Sequence, residues 1–364
     1  MGGSPLPPFA VYCRLCLVIL GLAPGVSRAQ AVPRTDTPRA GTLRVTFEPV
    51  ITTWEREFTD SGRRRIGASL PATVFVRAER RVTPLIAEFG ISNRIAVGLR
   101  LPIVRVRVQA QHDTTAAGRS LDSLLRDSTY DFAPIGNTPR HLRYFAGDVE
   151  LQTKYRLFVA PTHATSVALV LRLPTGHQDS PDDLFDIPTS DHQTDLEAQV
   201  AQELIVANRL WLNVLVRAAR QQPGTRERRV GPQSTLLIPR AATARLDWRP
   251  GDYAAIDVAP LYRFSPHFAA GFTAGYWSRK RDHYAYRSAQ DSIDVATRLG
   301  APVPASVLDA GTSERWLRLG GAVTYVGPDM EGGFSIEQTV SGAGGRVPAA
   351  TVFRIVMRTS RWPF

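Results

Sequence analysis

Residues 148–157 read Asp148-Val149-Glu150-Leu151-Gln152-Thr153-Lys154-Tyr155-Arg156-Leu157. In an extended chain successive side chains point to opposite sides. Val149, Leu151, Tyr155 and Leu157 therefore share one face, and Asp148, Glu150, Gln152, Lys154 and Arg156 share the other. A soluble β-sandwich also alternates, but its inner face is the apolar one and needs a second apolar layer. Here the polar face carries many charges, and the apolar face is aliphatic with aromatics near its ends. That is the inverted pattern of a strand with lipid on one side and a polar lumen on the other.

The pattern recurs. Ile95, Val97, Leu99, Leu101 and Ile103 oppose Arg94, Gly98 and Arg100, after which Val104, Val106 and Val108 oppose Arg105 and Arg107. This slip of phase beside Pro102 predicts a bulge at a barrel rim. Val167, Leu169, Leu171 and Leu173 form a face, and Leu196, Ala198, Val200 and Leu204 oppose Asp195, Glu197, Gln199 and Glu203. Leu210, Leu212, Val214 and Val216 oppose Asn213 and Arg217; Ile256, Val258, Tyr262 and Phe264 oppose Asp257 and Arg263. Phe268, Phe272 and Tyr276 follow, then Leu317, Leu319, Val323 and Tyr325 against Arg318. Phe334 and Ile336 oppose Glu337, and Phe353, Ile355 and Met357 oppose Arg354 and Arg358.

Connectors alternate in length. Segments 90–93, 159–164, 206–208, 265–266 and 327–332 are short and rich in Gly, Pro, Asn and Ser; segments 109–145, 176–192, 221–252 and 281–311 are long. Short periplasmic turns and long outer loops are the layout of an outer-membrane barrel. The fold class expected is all-β, an antiparallel up-and-down transmembrane barrel of about twelve strands (range ten to fourteen). Residues 42–56 read as strand one and 84–89 as part of strand two, while 66–80 is open between a loop and an extra strand pair.

The chain has 364 residues, 43% hydrophobic and 21% charged, which excludes global disorder. Arg14 followed by the apolar run 15–22 and the small-residue sites Ser27-Arg28-Ala29 and Ala29-Gln30-Ala31 read as a signal peptide. Cleavage is expected near Gln30 or Val32; residues 1–31 are assigned to the signal and 32–364 to one barrel domain. Both cysteines, Cys13 and Cys16, fall in the signal. A disulfide scaffold, cysteine metal site or thiol nucleophile is thereby excluded. Net charge is +11, and only Lys154 and Lys280 are lysines. An exported chain rarely meets nucleic acid, so the arginines read either as contacts for lipopolysaccharide phosphate or as genomic base composition. Composition does not separate the two.

Several blocks together resemble a known family: Glu88-Phe89-Gly90-Ile91-Ser92-Asn93-Arg94 with Leu101-Pro102; Gly147-Asp148-Val149-Glu150-Leu151 with Lys154-Tyr155-Arg156; Leu173-Pro174-Thr175-Gly176; Tyr262-Arg263-Phe264-Ser265-Pro266-His267-Phe268; and Val340-Ser341-Gly342-Ala343-Gly344-Gly345. In order and spacing they are similar to the outer-membrane channel family named for the meta-pathway of phenol degradation. The resemblance implies a barrel that passes small, aromatic or hydrophobic compounds and supplies no catalytic residues. The chain departs from it at the C-terminus. Pro363 precedes Phe364, and Phe353, Ile355 and Met357 are out of phase with Trp362 and Phe364, which predicts a bulge near Ser360. The assembly machinery is expected to bind the last strand, ending in Phe364.

The candidate lumen residues follow from alternation. The acids are Asp148, Glu150, Asp195, Glu197, Glu203 and Asp257; the bases are Arg100, Lys154, Arg172, Arg217, Arg263, Arg318, Arg354 and Arg358. Acids concentrated on middle strands and bases on the others would set a transverse field; salt-bridged filling is the alternative. Arg226, Arg228 and Arg229, with Arg279, Lys280 and Arg281, are candidates for lipopolysaccharide contact at the outer rim. Asp182, Asp183 and Asp186 are the closest-spaced carboxylates of an acidic loop, but their spacing fits no known cage, so no metal is assigned. His177 with Ser180 and His283 with Ser288 are His–Ser neighbours that a rim hydrolase could use; neither has an orienting partner at motif spacing, so no catalytic residue and no cofactor are assigned. Leu121, Leu124 and Leu125 after Ser120, and Ile293, Ala296 and Leu299 before Gly300, predict short loop helices that could fold inward or outward. The expected role is an outer-membrane channel for small solutes, the alternative a closed structural or surface-binding barrel.

Overall fold

The computed structural model describes residues 35–359, apart from 72, 113–119, 135–139, 208, 233, 328–329 and 346. The expected signal peptide, both cysteines and the bulge near Ser360 lie outside the described residues.

In chain order the strands begin with β1 (Leu43–Phe47), β2 (Val50–Trp54), β3 (Arg56–Thr59), β4 (Gly62–Arg65), β5 (Val74–Gly90), β6 (Ile95–His112) and β7 (Arg140–Ala146). Then follow β8 (Val149–Val159), β9 (His163–Leu173), β10 (Asp195–Val206), β11 (Leu210–Gln221), β12 (Gly224–Arg229), β13 (Thr243–Arg249) and β14 (Tyr253–Arg263). The last are β15 (Phe268–Arg279), β16 (His283–Tyr286), β17 (Glu314–Val326), β18 (Met330–Ala343), β19 (Val347–Pro348) and β20 (Thr351–Thr359). Among the described residues two α-helices, α1 (Leu121–Leu125) and α2 (Ala289–Leu299), lie in outer loops.

One large sheet runs β1/β2-β5-β6-β7/β8-β9-β10-β11-β14-β15-β17-β18-β20, every described pair antiparallel. It closes on itself, because β1 and β2 pair with both β5 and β20. Its fourteen segments make twelve strands, since β1 with β2 and β7 with β8 each continue one strand across a break. The first break falls at Glu48-Pro49, where proline has no N–H to give the ladder. Closure leaves no free edge round the ring of twelve strands, which a lipid-embedded sheet requires; only the outer extension β7 is paired on one side alone, with β6, among the described residues.

Outward side chains are the expected apolar ones. Leu151 is 43% exposed and Phe272 77%. Near the periplasmic turns Phe268 stacks on Phe264 (ring centroids 6.1 Å) and tilts against Tyr325 (5.2 Å), an aromatic belt at headgroup level.

The irregularity expected near Pro102 lies on the partner strand and not in β6: the β7/β8 strand breaks at Gly147-Asp148 opposite Pro102, and the β6–β7 register shifts again between Val106 and Val108. β6 pairs with β5 in unbroken register from Gly90↔Ala96 to Val74↔His112. The phase slip has another cause. Val104, Val106, Val108 and Ala110 face inward like Arg100, and above the membrane level the inside of the barrel is apolar. There they pack with Val74, Val76 and Ala78 of β5, with Leu121 and Leu125 of α1, and with Phe132. Ser120 caps α1 by accepting from the Ser123 N–H at 3.1 Å. The Leu121/Leu125 face thus folds inward, and Leu184, Phe185, Ile187, Leu236 and Leu237 from two further loops complete a lid core.

The first hairpin, left open in the sequence, contains additional sheet: β3 and β4 form a hairpin completed by β19, and strand two, to which 84–89 belongs, begins at Val74. The segments 221–252 and 281–311, expected as long connectors, contain sheet as well. β12, β13 and β16 make a second outer sheet, on which α2 packs through Val295 and Leu299. The expected Ile293/Ala296/Leu299 face is corrected: Ile293 is exposed and Val295 buried. Gly300, at φ 73°, ends α2 as predicted.

Candidate functional site

Inward-facing side chains build a charged belt at mid-barrel, around a cavity of about 300 Å3. Arg100 of β6 donates to Glu150 of β8 at 3.0 Å, and Arg172 of β9 donates to the same Oε1 at 3.2 Å and to Asp195 of β10 at 3.0 Å. Tyr253 of β14 donates to Glu197 and accepts from Arg172 at 3.4 Å. Further round, Arg217 holds Asp257 at 2.8 Å and Arg354 meets Glu48 at 3.5 Å. Acids and bases alternate from strand to strand, so the expected pair of opposed walls gives way to an interleaved belt. Partly buried pairs of this kind hold each other in place, because an orphaned charge would be costly.

A second cluster lies toward the periplasmic side. Glu88 of β5 accepts from Arg44 of β1 (2.9 Å) and Lys154 of β8 (3.3 Å), and Arg44 also reaches Asp36 at 2.6 Å. Arg358 meets Glu331 at 3.5 Å beside it. The segment before β1 enters the barrel here. Thr35 is 0% exposed, and its N–H donates to Glu203 of β10 at 2.9 Å. β10 lies five neighbours round the ring from β1, so this segment crosses most of the lumen. Gly90 lets it pass: a Cβ there would sit 2.1 Å from the Arg39 carbonyl oxygen. Below, Trp211, Leu261, Ala269, Ala322 and Val326 form an apolar patch inside the periplasmic end.

Of the predicted lumen residues, Arg100, Glu150, Lys154, Arg172, Glu197, Arg217, Asp257, Arg318, Arg354 and Arg358 line the cavity. Asp195 is buried behind Arg172. Asp148 instead accepts from the Gly176 N–H at 3.0 Å and ties two loop ends together. Arg263 lies at the periplasmic turn, donating to the Ser265 and Pro266 carbonyls and resting over Trp211 at 5.4 Å. Alternation did not single out Arg44, Glu48, Glu88, Arg80 or Trp316. Arg80 and Glu88 share the even-numbered inward face of β5, a signal present in the sequence once β5 is taken to begin before residue 80.

The rim arginines need correction. Arg226 and Arg229, expected as surface contacts, are 5% and 6% exposed. Arg229 ties three loops together: it donates to the carbonyls of Tyr130, Asp131 and Ile238, meets Asp182 at 2.6 Å and lies over Phe132 at 3.7 Å. Arg226 lies over Trp248 at 4.8 Å, and Arg228 binds Asp179. Burial and the neighbouring Arg228 pull the Arg226 guanidinium below the ordinary arginine range, and burial pushes the Tyr284 hydroxyl up. Arg279 pairs with Glu314 at 3.2 Å; Lys280 and Arg281 are exposed.

The acidic loop is engaged by protein. Asp182 binds Arg229, Asp183 accepts from the Phe185 N–H, and Asp186 binds the His177 ring at 2.9 Å and the Ser180 N–H. No three metal-ligand side chains converge among the described residues. Ser288 is the N-cap of α2, accepting from the Asp291 N–H, and His283 binds Asp309. Ser180 Oγ accepts from the Asp182 N–H. Both hydroxyls thus serve backbone N–H groups of their own loops.

No family model matches the sequence, and no curated protein matches it. Solved structures do. An outer-membrane channel from Pseudomonas putida F1 aligns over 92% of this chain and 99% of its own, with a TM-score of 0.57 at 9% identity. The NanC porin aligns over 86% and 98% at a TM-score of 0.37 and 10% identity. The toluene transporter TbuX of Ralstonia pickettii aligns over 88% and 90%, also at 0.37 and 10%. The fold of this chain is that of the first, an outer-membrane channel.

Proposed function

We propose that the protein is an outer-membrane channel that passes small solutes, aromatic or hydrophobic ones among them. The observation that carries this reading is the mid-barrel cavity of about 300 Å3, ringed by charge where a purely structural barrel would be filled. Likeness of fold to a bacterial outer-membrane channel supports it. Affiliation with the family named for phenol degradation belongs to the same proposal. Its sequence blocks form joints of the barrel here: Val149 N–H donates to Thr175 Oγ1 at 2.9 Å, and that hydroxyl donates to the Gly147 carbonyl at 2.9 Å.

Single-channel recording of the refolded mature chain in planar bilayers is the test. Conductance steps absent without protein support the channel. Silence favours a closed barrel, a reading with its own motive: the apolar lid outside and the Thr35 segment within lie over the two ends of the cavity.

A further inference from the structure

Two charged groups of the belt are left out of its pairing. Arg318 of β17 and Glu337 of β18 both line the cavity, and among the described residues neither has an opposite charge within 4.0 Å. They are near neighbours, since Gly320↔Glu337 and Arg318↔Thr339 are in register. A register shift at Leu317/Arg318 breaks the ladder beside them, the kind of irregularity that re-aims a side chain. The Arg318 guanidinium carbon lies over the Trp316 indole, 4.0 Å from the ring centroid, and Trp277 stacks on Trp316 at 6.0 Å. A guanidinium placed this way keeps its N–H donors free along its edge, and the Arg318 Nε has no partner. Residue 275, opposite Arg318, is glycine, and the Asp257 carboxylate takes the room a side chain would need there: a Cβ would come within 2.7 Å of Asp257 Oδ1.

Resting on the channel reading, we propose that Trp316, Arg318 and Glu337 form a binding subsite for an aromatic zwitterion, an α-amino acid with an aromatic side chain. The ligand carboxylate takes the guanidinium edge as a bidentate partner. Its ammonium faces Glu337, and its ring lies against the Trp316/Trp277 strip. The charge balance selects the class. Arg217 with Asp257 and Arg354 with Glu48 are already paired, and Glu197 accepts hydrogen bonds from Tyr253 and Gln199, so the charged groups left without any hydrogen-bond or ion-pair partner among the described residues are one cation and one anion. An aryl carboxylate would leave Glu337 facing an added negative charge, and an aryl amine would do the same to Arg318. A zwitterion satisfies both.

The test is isothermal titration of the refolded mature protein in detergent with L-phenylalanine. Three comparison ligands each lack one feature: 3-phenylpropionate the ammonium, phenethylamine the carboxylate, and L-leucine the ring. Phenylalanine is expected to bind about tenfold or more tightly than any of the three. In Arg318→Gln that advantage over phenethylamine disappears, and in Glu337→Gln 3-phenylpropionate overtakes phenylalanine. Equal binding of phenylalanine and 3-phenylpropionate by the wild type, or no binding heat with any ligand, overturns the subsite. The wild-type ligand series decides the matter even where a variant fails to fold. Binding without conductance leaves the site standing and removes the channel; conductance without binding does the reverse.

Discussion

At the scale of single residues, one position separates lipid from lumen. Leu151 points outward at mid-strand, and Gln152 faces the cavity, 3.5 Å from Gln199. Leu151→Arg places a charge in hydrocarbon at about 2–4 kcal/mol, whereas Gln152→Arg adds one to a polar belt. Refolding yields of the two variants are expected to differ sharply in favour of Gln152→Arg; equal yields would mean the facing is wrong. Glu150 and Glu197 make a second test. Changing both to Gln removes two negative charges from the belt and releases Arg100 and Arg172 from Glu150. The reversal potential in a salt gradient is expected to move toward anion preference; no shift in a conducting double variant would place both residues off the ion path. Inward charges such as these were readable because strand periodicity is two and needs only local sequence. Their partners were not, since pairing depends on register between strands. Arg226 and Arg229 show the same limit: a run of arginines in a polar loop gives no sign that Asp182 and Phe132, some fifty and a hundred residues earlier, will enclose one of them.

At the scale of elements, the lid is the part with a separable behaviour. α1 is only five residues long and cannot be stable alone, so its two buried leucines hold it against the inner face of β5 and β6. Leu121→Asp buries a charge in that core, and Arg229→Gln removes the tie among three loops. Both variants are expected to keep the barrel, to expose the loop segments to protease and to raise single-channel conductance. Conductance unchanged in Leu121→Asp would show that the lid does not limit flow. The caps of both helices were legible, because Ser120, Ser288 and Gly300 announce them locally. The direction in which α1 folds was not, and the slip at Val104 was misread for a related reason. An apolar residue on the lumen side looks like a change of phase until the element that covers it is known. The Ala244-Leu246-Trp248 alternation of β13 is a legible strand signal inside the long connector 221–252.

At the scale of the whole molecule, twelve strands without a free edge should resist detergent until heated. Unboiled protein is therefore expected to migrate differently from boiled protein on a gel, and identical migration after refolding would remove the main support for a closed barrel. Deleting residues 32–40 should widen the periplasmic end, because Thr35 and Asp36 then no longer reach Glu203 and Arg44. Larger unit conductance in the deleted chain is the expected reading, and unchanged conductance would mean that the segment does not obstruct the path. The ring of neighbours was foreseeable from the alternation of short and long connectors, but its seam was not. Val45 lies beside Thr359, so the first strand made and the last one finished must meet, across an interruption at Glu48-Pro49. Nearly the whole chain therefore has to be delivered before its terminal contacts can form, which gives this one joint the largest sequence separation in the fold and makes its closure the expected slow step of folding. A chain cut short by premature termination could never seal, however well its other hairpins paired, and would stay a substrate for periplasmic chaperones and proteases.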